Sequence, residues 1–100
     1  MEINKILEGN ELTITLVGRL DTNTAPQLEP VIKNELDGVK QLVFDMEKLD
    51  YISSAGLRVF IATDEAVRDK GGMILKNVNQ FVYEILDDVG FTDFMKIEKA

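Results

Sequence analysis

The sequence predicts an α/β fold: one mixed sheet of about five strands, with an N-terminal antiparallel hairpin, a largely parallel remainder and three main helices. Two segments of alternating apolar and polar residues open the chain, before any helical pattern. Stretches with helical spacing then alternate with short apolar runs, which is typical of parallel strands joined by crossover helices. One hundred residues with 45% apolar content suffice for one core, so we expect a single domain over residues 1–100.

The alternation is clearest from Leu12 to Val17, where every second residue is a leucine or isoleucine. This is the period of a strand that buries one face. The preceding residues, 8–11, have the composition of a turn. Ile3–Leu7 and Leu12–Val17 are therefore predicted to pair as a hairpin.

The first helix is predicted from Ala25, where apolar residues begin to follow helical spacing, and Gly38 is placed to end it. Thr24 and Gln27 have the spacing of a capping box. Pro30 lies inside this pattern, and a proline there removes one backbone hydrogen bond. We therefore expect a kink, or a helix that begins later than the cap suggests.

The middle of the chain contains a short apolar run and then a long helical pattern. The run Leu42–Phe44 predicts a central strand covered on both faces, and a helix is expected from about Ser54 to Lys70. At 100° per residue, one sector about 140° wide collects the predicted core face of this helix. That sector holds Ala55, Val59, Phe60, Ala62, Thr63, Ala66 and Val67.

The C-terminal part repeats the alternation of strand and helix. Gly71–Gly72 interrupts the chain before Met73–Leu75, a second short buried strand. Apolar residues between Val78 and Val89 then recur at helical spacing, Gly90 supplies a stop, and Met95–Ile97 is expected to form the last strand.

Composition argues against several functional classes. The chain has no cysteine and no histidine, so disulfides, thiolate metal sites and the commonest general base are missing. A net charge of −7 disfavours nucleic acid, although it is compatible with a basic protein partner or with a role in solubility alone. The first residues lack the pattern of a secretory signal and no apolar stretch approaches the roughly 20 residues that cross a bilayer, so we expect neither a signal peptide nor a membrane span. We expect a cytoplasmic protein that is monomeric when free and needs no metal or cofactor.

The start of the second predicted helix is the most informative feature. Ser54 is expected at the N-cap, where a serine hydroxyl can accept a backbone hydrogen bond. Leu57 and Ile61 fall outside the core sector, on the side where Ser54 projects, in the company of charged residues such as Arg58. They either pack under a neighbouring loop or belong to a partner surface centred on Ser54.

Asp50-Tyr51-Ile52-Ser53-Ser54-Ala55-Gly56-Leu57-Arg58-Val59 resembles the signature of STAS domains of the anti-sigma factor antagonist type. Other segments fall where such domains have similar ones, so the resemblance covers nearly the whole chain. These segments are Gly18–Asp21, Leu42–Asp45, Gly71–Gly72 and Val89–Phe91.

The resemblance implies which serine is modified. In the family the phosphorylated serine precedes a small residue and Gly-Leu, which places it at Ser54 rather than Ser53. Many members carry Asp immediately before the modified serine, where this chain has Ser53. The implied partner-binding residues are Asp21, Thr22, Ser53, Gly56, Leu57, Arg58 and Ile61.

The resemblance also implies a function in partner switching. The unmodified protein would bind an anti-sigma factor that is itself a serine kinase, and so free a sigma factor for transcription. Phosphorylation of Ser54 would end this binding, and a metal-dependent serine phosphatase would reset the switch. The chain itself would not be an enzyme.

Three other functions are alternatives to this one. A serine hydrolase lacks a base here, because there is no histidine and no Ser-x-x-Lys at either serine. A phospho-aspartate receiver could use Asp45, which is expected to end a buried strand, but its topology should not begin with a hairpin. A STAS subunit that binds a transporter ATPase constitutively stays open as an alternative.

Overall fold

The strands and helices follow one another in the predicted order in a computed structural model, which describes residues 1–100. The strands are β1 (Glu2–Glu8), β2 (Glu11–Leu20), β3 (Gln41–Ile52), β4 (Met73–Val78) and β5 (Lys96–Lys99). The helices are α1 (Ala25–Glu35), α2 (Ser54–Val67) and α3 (Gln80–Asp88), with single 3-10 turns at Arg68–Lys70 and Phe91–Asp93.

The sheet is mixed, as predicted. Its strand order is β1-β2-β3-β4-β5, with β1 antiparallel to β2 and every other neighbouring pair parallel. Each of the three helices connects two neighbouring parallel strands, and all three connections step in the same direction along the sheet. Because such connections are right-handed, they place their helices on the same face of the sheet. The protein is therefore a two-layer structure with α1, α2 and α3 on one side of the sheet.

Val43 marks the other side of the sheet. It is buried, yet it is the one buried apolar residue outside the hydrophobic core between sheet and helices. Its neighbours across the strands are Thr13 and Ile74. Leu42, Val43 and Phe44 are all buried, as predicted for a strand covered on both faces, although only Leu42 and Phe44 belong to the core beneath the helices.

Strands β2 and β3 are both longer than their apolar runs predict. In β3 half of the residues after Phe44 are charged, and only Met46, Leu49 and Ile52 are buried there. The two strands stay paired to their ends, with Leu20 opposite Ile52, through two register shifts that each add one residue in β3. Both strands thus deliver their C-terminal residues to one edge of the sheet.

Helix α1 begins at Ala25 and continues through Pro30, so the later start is not observed. The expected capping box is also wrong. The Thr24 hydroxyl donates to the carbonyl oxygen of Arg19 at 2.7 Å and accepts from the Asp21 N–H at 2.8 Å, instead of capping the helix. The loop before α1 is therefore held by bonds directed back toward β2.

Helix α2 is rotated relative to the predicted core face. Ala62 and Ala66, expected in the core, are exposed, and Asp64 is buried. The Asp64 carboxylate is paired with Arg68, with 2.7 Å between Oδ2 and Nη2. The buried residues of α2 are Gly56, Val59, Phe60, Thr63, Asp64 and Val67.

Helix α3 begins after Asn79, two residues into the predicted pattern, since Val78 belongs to β4. The Asn79 side chain caps the helix by accepting from the Val82 N–H at 2.8 Å, and it donates to the carbonyl oxygen of Leu49 at 2.9 Å. No helix of the protein is both long enough and apolar enough to cross a bilayer.

Candidate functional site

The candidate site lies where β2 and β3 end side by side. The Ser53 N–H donates to the carbonyl oxygen of Leu20 at 2.9 Å, which ties the start of α2 to the end of β2. Asp21, the first residue after β2, and Ser54, the second residue after β3, therefore share one edge of the sheet. This juxtaposition joins two segments that are more than thirty positions apart in the sequence.

The two serines at the start of α2 have different environments. Ser53, not Ser54, occupies the N-cap, and Ser54 is the first helical residue. The N-cap prediction for Ser54 is therefore wrong by one position. The Ser53 hydroxyl oxygen is buried and has no hydrogen-bond partner, whereas Ser54 is exposed. No side chain caps α2, so the N–H groups of its first turn remain available to an anion.

Asp21 organises the loop between β2 and α1. Its Oδ1 accepts from the N–H groups of Asn23 and Thr24 at 3.0 and 3.1 Å, and its Oδ2 lies 3.9 Å from Nε of Arg19. Partial burial acts to raise the pKa of Asp21. The two backbone N–H groups, the Thr24 hydroxyl and the Arg19 guanidinium outweigh it, so the pKa lies below its usual value. Asp21 is thus an ionised, preorganised carboxylate beside the serines.

Gly56 is buried beneath this surface, so it shapes the site from below. A Cβ at this position would lie 2.7 Å from Cγ of Leu20 and 2.9 Å from Cγ1 of Ile52. Both neighbours are almost completely buried at the strand ends. The glycine lets the first turn of α2 approach the ends of β2 and β3 closely.

The remaining predicted site residues divide between core and surface. Leu57 is half-buried and packs against the core, and Ile61 is 37% exposed. Thr22 and Arg58 are exposed, and Arg58 forms no salt bridge. The accessible surface around Ser54 therefore contains Asp21, Thr22, Arg58 and Ile61, with Leu57 at its margin.

An aromatic cluster beside the site was missed at the sequence level. The Arg19 guanidinium lies 4.4 Å from the centroid of the Tyr51 ring, and Phe81 lies 6.3 Å from the same ring, centroid to centroid. Phe81 is 56% exposed. These residues come from β2, β3 and α3, so no spacing along the chain connects them. The strand register, which places Arg19 opposite Tyr51, brings them together.

An open groove runs between α1 and α2 and begins next to Ser54. We call it the α1–α2 groove, and its volume is about 600 Å³. Small and apolar residues from both helices line it, among them Ala25, Pro26, Leu36, Ala55, Ala62 and Ala66.

Asp45, the residue that a receiver would use, is not at the end of a strand. It lies within β3, where its Oδ1 accepts from the Asn77 amide at 3.0 Å and from the Glu47 N–H at 3.1 Å. No group of three or more acidic side chains comes together to hold a metal ion. The position of Asp45 inside β3, with its carboxylate bonded to Asn77 and Glu47, argues against a receiver-type phosphorylation site at this residue.

Curated relatives match along most of the chain. BtrV, a candidate anti-sigma factor antagonist of Bordetella bronchiseptica, is 33% identical over 91 residues, which cover 89% of this chain and 78% of BtrV. The anti-sigma-B factor antagonist of Bacillus subtilis is 27% identical over 100 residues, covering 97% of this chain and 92% of the relative.

Solved structures share the fold. An anti-sigma factor antagonist from Mycobacterium paratuberculosis superimposes with a TM-score of 0.90 at 20% identity, covering 99% of this chain and 86% of its own. Unphosphorylated SpoIIAA, also an anti-sigma factor antagonist, gives a TM-score of 0.78 at 17% identity, covering 99% of this chain and 89% of its own. SpoIIAA has also been solved in its phosphorylated form, with a TM-score of 0.74 at 18% identity over 96% of this chain and 90% of its own.

The family assignment rests on a match that spans almost every residue. The family model described as the STAS domain matches residues 2–100. That range includes both serines, the Asp21 loop and all five strands. The chain therefore belongs to the STAS domain family.

Proposed function

We propose that this protein is a bacterial, cytoplasmic anti-sigma factor antagonist whose binding is controlled by phosphorylation of Ser54. The unmodified form binds an anti-sigma factor with serine kinase activity and frees a sigma factor for transcription. A serine phosphatase restores the unmodified form. The protein acts by binding and catalyses no reaction.

The exposure of Ser54 at the first position of α2 carries this proposal. A kinase must reach the serine hydroxyl, and Ser54 is open to solvent while the Ser53 hydroxyl oxygen is buried. The names of the relatives, and the existence of SpoIIAA in phosphorylated and unphosphorylated forms, support the same role.

The position of Ser54 also explains how a phosphate could block binding without damaging the fold. A phosphate adds about −1.5 to −2 charges near neutral pH. In the free protein it would sit at the uncapped N-terminus of α2, which has no acidic residue in its first turn, and the helix dipole would favour it.

At an interface the same charge would be unfavourable. A charge that loses its water without gaining a cation costs several kcal/mol. A cost of about 4 kcal/mol would weaken binding roughly a thousandfold, since about 1.4 kcal/mol corresponds to a tenfold change in affinity. One phosphate is therefore enough to release the partner.

The test uses the anti-sigma factors encoded in the source genome, each incubated with this protein, ATP and magnesium. Phosphate incorporation is mapped by mass spectrometry in the wild type, in Ser54→Ala and in the matched neighbour Ser53→Ala. We expect one phosphate on the wild type and on Ser53→Ala, and none on Ser54→Ala. Modification that survives in Ser54→Ala but disappears in Ser53→Ala would overturn the site assignment.

Binding is measured in the same set of proteins by calorimetry. We expect the unmodified protein to bind one anti-sigma factor and to displace its sigma factor, and the phosphorylated protein to do neither. If no anti-sigma factor binds, and a transporter ATPase binds regardless of phosphorylation, the proposed function is wrong and the constitutive alternative is correct.

A further inference from the structure

The α1–α2 groove exposes apolar surface that the helical pattern would place in a core. Ala62 and Ala66 share the face of α2 that carries the half-buried Ala55, yet both are exposed. On the opposite wall, Pro26 is exposed and Leu36 is half-buried. No element of this chain covers the gap between the two helices.

The dimensions of the groove suit a helix. From Ala55 to Ala66 the wall on α2 rises about 16 Å at 1.5 Å per residue, which is three helical turns. The alanine side chains are short, so larger apolar side chains of an incoming helix could sit between α1 and α2. An amphipathic helix recognised in this way presents anchors spaced i, i+3 or i+4, and i+7.

The charges at the groove indicate what the occupant carries. Arg58 lines the groove near its Ser54 end, and Lys33 lines it on α1, one turn before Leu36. Neither cation forms a salt bridge within this chain. Glu29 is the one acidic residue of the lining, so the groove is locally cationic in a protein of net charge −7. Carboxylates are its complement.

The groove is continuous with the proposed switch. Ala55 and Arg58 lie one and four positions after Ser54 on α2, and Thr22 lines the groove from the Asp21 loop. An occupant of the groove would therefore lie beside the Ser54 hydroxyl. A phosphate on Ser54 would repel any carboxylate of the occupant that approaches Arg58.

We propose that the α1–α2 groove receives an amphipathic helix of the anti-sigma factor, whose apolar stripe packs on the alanines of α2 and whose carboxylates pair with Arg58 and Lys33. This inference rests on the proposed function. It adds a second contact region, which extends along α2 away from the modified serine and sets the choice of partner.

The absence of cysteine from the natural chain allows a footprinting test. Single cysteines are introduced as Ala62→Cys in the groove and Asn34→Cys, an exposed position of α1 outside the groove lining. The rate of alkylation by N-ethylmaleimide is measured with and without the saturating anti-sigma factor. We expect at least about tenfold protection at position 62 and none at position 34.

The outcomes separate this inference from the function on which it rests. A complex that forms and responds to Ser54→Asp, while Ala62→Cys reacts at an unchanged rate, overturns the groove inference and leaves the function intact. If no anti-sigma factor binds the wild type, both the groove inference and the proposed function are wrong. Protection by dodecanoate but not by the partner would make the groove an amphiphile site. Protection that grows with the concentration of the chain alone would make it a contact between copies, and either result overturns the proposal.

Charge reversal provides a second, independent measurement. Lys33→Glu is compared with Lys48→Glu, an exposed lysine on β3 with the same change in net charge. We expect Lys33→Glu to weaken the complex by roughly tenfold or more and Lys48→Glu by less than about threefold. Equal effects of the two variants would mean that net charge alone acts, and would overturn the pairing at the groove.

Discussion

At the scale of single residues, the two adjacent serines differ in what their hydroxyl groups can do. Ser53 has the backbone conformation of an N-cap, with φ −99° and ψ 177°, yet its side chain makes no capping bond. Its oxygen is buried without a partner, and such a group costs free energy compared with water. Ser54 does not cap the helix as expected, and its side chain is exposed to solvent, as a modification site requires.

Ser53→Ala tests this assignment. Removal of a serine that caps a helix costs about 1 kcal/mol, whereas removal of a buried hydroxyl without a partner costs nothing or stabilises. We expect the free energy of unfolding of Ser53→Ala, measured with urea, to equal or exceed that of the wild type. Asn79→Ala, which removes a cap that does bond to Val82, serves as the control and should lose about 1 kcal/mol or more. A similar loss in Ser53→Ala would contradict the structure.

Asp21 gives the fold a specific dependence on acidity. Because its pKa is lower in the folded protein than the ordinary value of 3.8, its stabilising contribution is complete above that value. The contribution is lost as the pH falls from 3.8 through the lower folded pKa. Asp21→Asn keeps an oxygen that can accept from the Asn23 and Thr24 N–H groups but cannot titrate.

We therefore expect the melting temperature of the wild type to decrease more than that of Asp21→Asn when the pH is lowered from about 5 to about 2. The melting temperatures of both proteins are compared by circular dichroism across this range. Parallel curves would show that the carboxylate has the same pKa in the folded and unfolded chain, and would contradict the bonds drawn for the loop.

At the scale of elements, the close approach of α2 to the strand ends depends on Gly56. In an open helix, Gly→Ala stabilises by up to about 1 kcal/mol. Here the added Cβ would lie 2.7 Å from Leu20, whose buried side chain has no room to move aside. We expect Gly56→Ala to destabilise by about 1 to 3 kcal/mol in urea unfolding.

The matched control is Ala62→Gly on the exposed side of the same helix. It should lose about 1 kcal/mol through helix propensity alone. Propensity thus predicts opposite signs for the two changes, while the structure predicts that both destabilise. A gain of stability in Gly56→Ala would show that α2 does not sit as closely on β2 and β3.

Helix α2 illustrates which features of the structure could be predicted from the sequence. Its start, the apolar face around Val59 and the presence of a strand before it followed from periodicity, which depends on local geometry. Its end did not, because residues 68–70 of the predicted helix form a 3-10 turn. Its rotation did not, because the pattern cannot tell whether α1 covers Ala62 and Ala66 or leaves them open. The sequence pattern also predicts that Asp64 is on the surface, because its burial depends on the salt bridge to Arg68, which the pattern does not show.

The prediction of a capping box before α1 was wrong for a related reason. Thr24 and Gln27 have the right spacing, but the Thr24 hydroxyl finds partners in β2 and Asp21 that no local pattern indicates. The family resemblance placed Asp21 and Ser54 on one surface. The strand register supplies the physical reason, through the pairing of Leu20 with Ile52.

At the scale of the whole molecule, the site is a product of topology. Parallel β2 and β3 end at the same edge of the sheet, and their crossovers put α1 and α2 side by side on one face. The loop before α1, the start of α2 and the groove between the helices therefore form one continuous surface. The polar residues of this surface, Asp21, Thr22, Ser54 and Arg58, lie outside the hydrophobic core, so the surface can change its charge while the core stays intact.

This separation predicts that the switch acts without unfolding the protein. Ser54→Asp places a carboxylate at the N-terminus of α2, where the helix dipole favours it by about 0.3 to 1 kcal/mol. We expect the melting temperature not to fall and to rise by about 1 to 8 °C, since 1 kcal/mol shifts a domain of this size by roughly 4 to 8 °C. Backbone amide NMR shifts should change only around residues 19–24 and 53–59. Shift changes that reach β4 and β5, or a melting temperature lowered by more than about 5 °C, would mean that the modification works by disrupting the fold and not by blocking the interface.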